Sequence, residues 1–156
     1  MNTIRIGLIS DTHGLLRPEA RVALTGVDRI IHAGDICDAE LLEQLSRIAP
    51  LIAVRGNNDR GAWANALREK ETLEIDNVRI LVLHDLHDLG IDPKAAGIDV
   101  VITGHSHRPS IRREGGVLHV NPGSAGPRRF RLPISVGFLH IADGVAQAEL
   151  QTLEVD

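Results

Sequence analysis

The stretch DRIIHAGDICDAELLEQLSRIAPLIAVRGNND, residues 28–59, decides the fold. It reads as a strand, DRIIHA (28–33), that ends at Gly34-Asp35. A helical segment DAELLEQLSRI (38–48) follows, then a second strand, LIAVR (51–55), that ends at Gly56-Asn57-Asn58-Asp59. Leu41, Leu42, Leu45 and Ile48 fall on one helical face, and Asp38 suits the N-cap because its short side chain can accept a backbone N–H of the first turn. Strand, helix and strand at this spacing make a right-handed crossover, with both strands parallel in one sheet.

Toward the N-terminus the pattern repeats. TIRIGLIS (3–10) is strand-like and PEARVALT (18–25) has helical spacing after a proline start, which completes β-α-β-α-β. Toward the C-terminus the chain is richer in strands: ETLEI, VRILVL, DVVIT, PSIRRE, VLHV, PISVGFLHI and VAQAELQTLEV. The turn pairs Asp76-Asn77, Gly115-Gly116 and Asp143-Gly144 predict hairpins. A parallel first part and an antiparallel second part in one domain over residues 1–156 suggest two sheets packed face to face with helices outside.

The composition narrows the function. A formal charge of -4 and a pI near 6.0 provide no basic field for a nucleic acid backbone. One Trp, two Phe and no Tyr leave no stacking platform for single strands. We therefore expect no stable nucleic acid partner. Cys37 is the only cysteine, so neither an intrachain disulfide nor a cysteine-rich zinc site can form. The N-terminal MNTIRIGLISDTHG has no charged leader and long apolar segment, and no apolar run approaches the ~20 residues that span a bilayer. The expected location is the cytoplasm, with no membrane contact.

In an open α/β sheet, chemistry gathers beyond the carboxyl ends of the strands. Those ends carry Asp11-Thr12-His13, Gly34-Asp35, Gly56-Asn57-Asn58-Asp59, His84 and Gly104-His105-Ser106-His107. One Asp after a strand is ordinarily a cap or an Asx-turn, and a lone histidine is ordinarily a surface or satisfied core residue. His32, His87, His119 and His140 are read in that ordinary way, and Cys37 as simply buried. Five strand ends that all carry N or O donors, on otherwise apolar strands, point to a metal centre. Imidazole and carboxylate ligands without thiolate suit Mn, Fe, Co, Ni or Zn better than Mg or Ca, which favour all-oxygen shells.

The ordered motifs D-x-H (Asp11, His13), G-D-x-x-D (Gly34, Asp35, Asp38), G-N-x-D (Gly56, Asn57, Asp59), His84 and G-H-x-H (Gly104, His105, His107) resemble the calcineurin-like metallophosphoesterases. Asn121-Pro122-Gly123-Ser124, followed by Gly126-Pro127-Arg128, is similar to their small YfcE-type phosphodiesterase branch. The resemblance implies a four-layer α-β-β-α sandwich of two mixed sheets. It also implies two divalent transition-metal ions per chain, manganese expected first, with iron, zinc, nickel or cobalt also suited. One ion would sit on Asp11, His13, Asp35 and His107, and the other on Asp35, Asn57, His84 and His105, with Asp35 as the bridge. Asp35, Asn58 and His105 would act on the substrate, and Asp38 and Asp59 would orient ligating imidazoles.

The activity so implied is hydrolysis of a small phosphodiester by in-line attack of a bridging hydroxide. Phosphomonoester or nucleotide hydrolysis is the alternative within the same chemistry. A non-catalytic scaffold is the alternative outside it, since a retromer subunit resembles these phosphoesterases but has lost metal ligands. A metallo-β-lactamase-type site lacks its H-x-H-x-D-H signature here, and a dinucleotide fold lacks G-x-G-x-x-G after the first strand. Where the wider superfamily carries a histidine in G-N-H-D, this chain has Asn58, which cannot donate a proton as imidazolium does. Ser124 lies in a Pro-Gly turn and not in a nucleophile elbow, so covalent catalysis is not expected. The run Arg128, Arg129, Arg131 is either a solvated face or a phosphate contact. An open site without a cap domain leaves room for a homo-oligomer.

Overall fold

Pro18 begins the first helix, α1 (Pro18–Ala23), where its fixed φ and missing N–H cost nothing. Asp38 caps α2 (Ala39–Ser46) by accepting the Glu40 amide, and the face with Leu41 and Leu45 is buried. These helices connect β1 (Ile4–Ile9), β2 (Arg29–His32) and β3 (Leu51–Ala53), which lie parallel. A short α3 (Ala62–Asn65) follows. The remaining strands are β4 (Lys70–Ile75), β5 (Val78–Leu83), β6 (Val100–Ile102), β7 (Ser110–Glu114), β8 (Val117–Asn121), β9 (Ser135–Ala142) and β10 (Val145–Thr152). The molecule is a computed structural model that describes residues 3–155; of the domain expected over 1–156, residues 1, 2 and 156 lie outside it.

The two five-stranded sheets run β10-β9-β1-β2-β3 and β4-β5-β6-β8-β7. Both are mixed, so the expected split into a parallel and an antiparallel part is corrected. β9 returns antiparallel to β1 with Ile6 opposite Leu139, whereas β5, β6 and β8 are parallel to one another. The hairpins form where expected. Asp76-Asn77, Gly115-Gly116 and Asp143-Gly144 all have positive φ at both turn positions, the conformation that matches the right-handed twist of paired strands.

Alternation along each strand sorts the side chains into layers. Leu8 and Ile31 face Ile80, Val82 and Val120 between the sheets. Ile9, Ile30 and Phe138 face outward and are covered by Leu24 of the α1 end and by Leu41 and Leu45 of α2. Leu45 is fully buried there, and Leu45→Ala would cost about 2–5 kcal/mol through lost transfer energy and the cavity left behind. The outer layer over the second sheet is thinner than a helical layer. Leu81, Leu83, Val101 and Val117 are covered by Ile98 and by Leu86 and Leu89, from a single 3-10 turn (Leu86–Asp88) and its flank. Because β1, β2 and β3 are parallel in one sheet and β5 and β6 in the other, five carboxyl ends converge on one rim of the sandwich. Among the described residues, no helix is long and apolar enough to cross a membrane.

Candidate metal centre

The loops at that rim share a backbone device. Asp11 and His13, Asp35 and Cys37, and His105 and His107 all have positive φ, between 46° and 70°. Non-glycine residues adopt this conformation only where their surroundings over-determine it, and such strain gathers at functional sites. Two glycines let the loops meet: a Cβ at Gly56 would strike Asp35, and a Cβ at Gly104 would strike Ser10 and Asp11.

The convergence brings together most of the expected ligands. Asp11, His13 and His107 form one compact group of ligand-type atoms, and Asp11, Asp35 and His84 form another. Asp11 Oδ1 lies 3.4 Å from His107 Nε2 and 3.8 Å from both His13 Nε2 and His84 Nε2. Asp35 Oδ2 lies 3.3 Å from His84 Nε2 and 3.7 Å from His13 Nε2. Both carboxylates therefore stand between two imidazole pairs, His13 with His107 and His84 with His105, whose ring centroids are 5.4 and 5.1 Å apart. Asn57 joins the second pair, with Oδ1 3.2 Å from His105 Nδ1. His105 is the most open of the four imidazoles, its side chain 44% exposed.

Asp11 Oδ1, His13 Nε2 and His107 Nδ1 are buried without a hydrogen-bond partner. Buried polar atoms are almost always paired, so three orphans in one cluster, the first two among ligand-type atoms that face one another, fit a bound metal ion. Electrostatics agrees. Burial would raise the Asp11 carboxyl, but His107, His84 and the Ser10 hydroxyl outweigh it and hold its pKa below the usual value. Asp35 is held low against burial by hydrogen bonds from His84 and Asn58. Burial lowers His13, whereas at His84 the hydrogen bond with Asp35 and the charge of Asp11 overcome burial and raise the pKa. Two ionised carboxylates thus draw positive charge into the cluster, which fits a divalent cation with N/O ligands.

The supporting contacts are specific. His84 Nδ1 donates to the Ala33 carbonyl at 2.7 Å, which leaves Nε2 facing the carboxylates. Asn58 donates to both oxygens of Asp35, from its backbone N and from its side-chain amide, each at 2.9 Å. Asp59, buried, accepts the backbone amides of Asp35, Gly56 and Cys37. It holds the Asp35 loop, with no contact to an imidazole. Asp38 is exposed and its carboxylate is spent on the helix cap.

Asn121 of the Asn-Pro-Gly-Ser motif donates to the Gly104 carbonyl and to Ser106 Oγ, and Ser124 donates to the Asp11 carbonyl. That motif ties two ligand-bearing loops together. Of the arginine run, Arg128 donates to the Leu132 carbonyl within the turn, while the charge of Arg129 is felt at His13 and Cys37.

Two readings of single residues are corrected. Cys37 is exposed, its Sγ 3.7 Å from His13 Nδ1, because the left-handed backbone turns it outward. His119 is buried but not satisfied, since its Nδ1 has no partner. His32 is a satisfied core residue that accepts the Gly34 amide and contacts Thr12 Oγ1 at 3.0 Å. His140 pairs with Glu149 and His87 with Asp85, both outside the cluster. Sequence reading missed Ser10, whose Oγ donates to Asp11 Oδ2 at 2.7 Å, and Asp85, whose Oδ2 lies 3.7 Å from His105 Nε2. Both directly neighbour a strand-end ligand, the one signal that would have found them.

Comparison with known proteins identifies the family. A family model described as the calcineurin-like phosphoesterase superfamily domain matches residues 4–144. A Methanocaldococcus jannaschii protein named as a probable metallophosphoesterase is 41% identical, over 78% of this chain and 68% of its own. The phosphodiesterase YfcE of Escherichia coli K12 is 27% identical over 87% of each chain. Among solved structures, wild-type Vps29 from Entamoeba histolytica complexed with Zn2+ superposes with a TM-score of 0.74 at 25% identity, covering 96% of this chain and 99% of that one.

Proposed function

Because the chain belongs to the calcineurin-like phosphoesterase superfamily, we propose that it hydrolyses small phosphodiesters at a centre of two divalent transition-metal ions. In this reading Asp11, His13, Asp35 and His107 hold one ion and Asp35, Asn57, His84 and His105 the other. The observation that carries it is the pair of buried, unpartnered ligand atoms, Asp11 Oδ1 and His13 Nε2, among four imidazoles and two carboxylates.

When bound, the ions supply an activated water and neutralise charge that develops on the phosphate. The chain's own residues do the rest. Asp35, its two oxygens fixed by Asn58, orients the attacking water in line with the bond to be broken. Water adds to phosphorus, the P–O bond to one ester arm breaks, and that arm leaves as an alcohol whose proton comes from water. Asn58 donates to Asp35 and is no acid, so the reaction favours leaving groups that need little protonation. His105, at the open edge, faces the departing arm.

A diester brings one negative charge, whereas a monoester brings about two and calls for cations of the protein. In the cleft that reaches Asn57 and His84, Arg55 is paired with Glu69 and Lys70 donates to the Leu89 carbonyl, which favours the diester. The test uses metal-stripped protein resupplied with Mn2+, a chromogenic diester and its monoester counterpart, and Asp35→Asn as control. Metal-dependent diester turnover that vanishes in the control is expected. Preference for the monoester moves the protein to phosphomonoester chemistry, and tight metal binding without turnover moves it to a scaffold.

A further inference from the structure

Two clefts open on either side of Asp85 and His105, the only described residues that line both. One, about 190 Å3, is walled by Arg55, Glu69 and Lys70 and reaches Asn57 and His84. The other, about 200 Å3, runs between Asp85–His87 and the β7–β8 hairpin, over the thinly covered face of the second sheet, where Ser110, Arg112 and His119 line it. A phosphodiester has two ester arms that diverge from one phosphorus. Two clefts that diverge from one edge of the metal centre match that shape.

The second cleft is lined by a histidine whose ring carries an unpaired nitrogen. His119 is 9% exposed, and its Nδ1 is buried with no partner, at a cost of roughly 1–3 kcal/mol. Nearby, the Arg112 guanidinium is paired with Glu114, so the cleft carries no free cation for a second phosphate. Its volume lies below the ~300–1,000 Å3 of pockets for drug-sized molecules, which limits an occupant to about one ring.

We propose that this cleft is the subsite for the retained ester arm, an uncharged hydroxylated or heterocyclic ring of the kind a nucleoside presents, with the His119 ring as its hydrogen-bonding partner. The proposal rests on the phosphodiesterase reading and deepens it. Burial and the adjacent Arg112 lower the His119 pKa, which keeps the ring neutral and able to pair with an uncharged group.

The test compares two diesters that share the p-nitrophenolate leaving group. One retains thymidine 5′-phosphate, the other methyl phosphate. His119→Ala removes the partner, and Ser110→Phe, on the exposed β7, fills the cleft from its rim without touching the core. Both variants are expected to raise KM for the thymidine ester by about tenfold, the worth of one good hydrogen bond, with kcat and the methyl ester unaffected. Calorimetric binding of thymidine 5′-phosphate to the metal-loaded protein should weaken in parallel. Equal effects on both esters, or none on either, overturn the subsite while the phosphodiesterase reading stands. If the wild-type protein cleaves neither ester, that reading itself has failed and the subsite falls with it.

Discussion

Asp59 accepts the backbone amide of Asp35 at 3.0 Å through one carboxylate oxygen, and with the other it accepts that of Cys37 at 2.8 Å. A loop with two left-handed residues is thus fixed by a side chain 24 positions away. Asp59→Asn replaces one acceptor with an amide that faces a buried N–H. It should cost about 1–3 kcal/mol in denaturant unfolding of the metal-free protein and weaken metal binding about 10–100-fold in a chelator competition. Asp38→Asn, by contrast, exchanges one good helix cap for another and should change stability by less than about 0.5 kcal/mol.

Metal binding should release protons near neutral pH. The hydrogen bond with Asp35 and the charge of Asp11 raise the His84 pKa above 6.5 despite burial. A ligating imidazole must be neutral, so the ion displaces that proton, and affinity should weaken as pH falls through the raised pKa. Calorimetry of Mn2+ binding in two buffers of different ionisation enthalpy measures the proton count. In wild type it should exceed the count in His84→Asn at pH 7. Equal counts would place the proton elsewhere.

Much of this was legible in the sequence, for a physical reason. VRILVL reads as a continuous apolar run because β5 is buried on both faces, Ile80 and Val82 toward one sheet and Leu81 and Leu83 away from it. The strand-end ligands stand out because nothing in an apolar strand or a cap explains His84 or the His105–His107 pair. What escaped depends on contacts between distant loops, which leave no periodic trace. That β9 joins the first sheet beside β1 is one case, and the tie from Asn121 to Gly104 is another. The outward thiol of Cys37 and the unpaired ring of His119 follow from backbone conformation and a thin outer layer, neither of which composition encodes.

Leaving-group dependence should be steep. Asn58 donates its side-chain amide to Asp35 Oδ2, and no imidazolium occupies its position to protonate a departing oxygen. Across substituted phenyl diesters, kcat should fall markedly as the phenol pKa rises. Asn58→Ala, which loosens Asp35, should lower kcat about tenfold for every member of the series and leave the slope unchanged. A steeper slope in that variant would make Asn58 a participant in proton transfer to the leaving group.

His32 sets the acid limit of the metal-free protein. It is fully buried, and Nδ1 accepts the Gly34 amide at 3.0 Å, so the ring is neutral and its Nε2–H faces Thr12. Burial pushes its pKa from 6.5 down to about 3. Below pH 6.5 the unfolded chain takes up a proton that the folded ring refuses, so stability falls with pH until about 3, at ~1.4 kcal/mol per unit for this one group. Asp11 and Asp35, held below 3.8, add their own loss only near and below that value. His84 acts with the opposite sign, since its raised pKa contributes stability at low pH that is lost as pH rises past it. Denaturant unfolding of metal-free protein between pH 6 and pH 4 should therefore have a steeper pH slope than His32→Asn, which keeps an acceptor near the Gly34 amide but no titrating ring. The difference should be close to one proton; matching slopes would mean that His32 gains its proton in the folded state and that its burial yields on acidification.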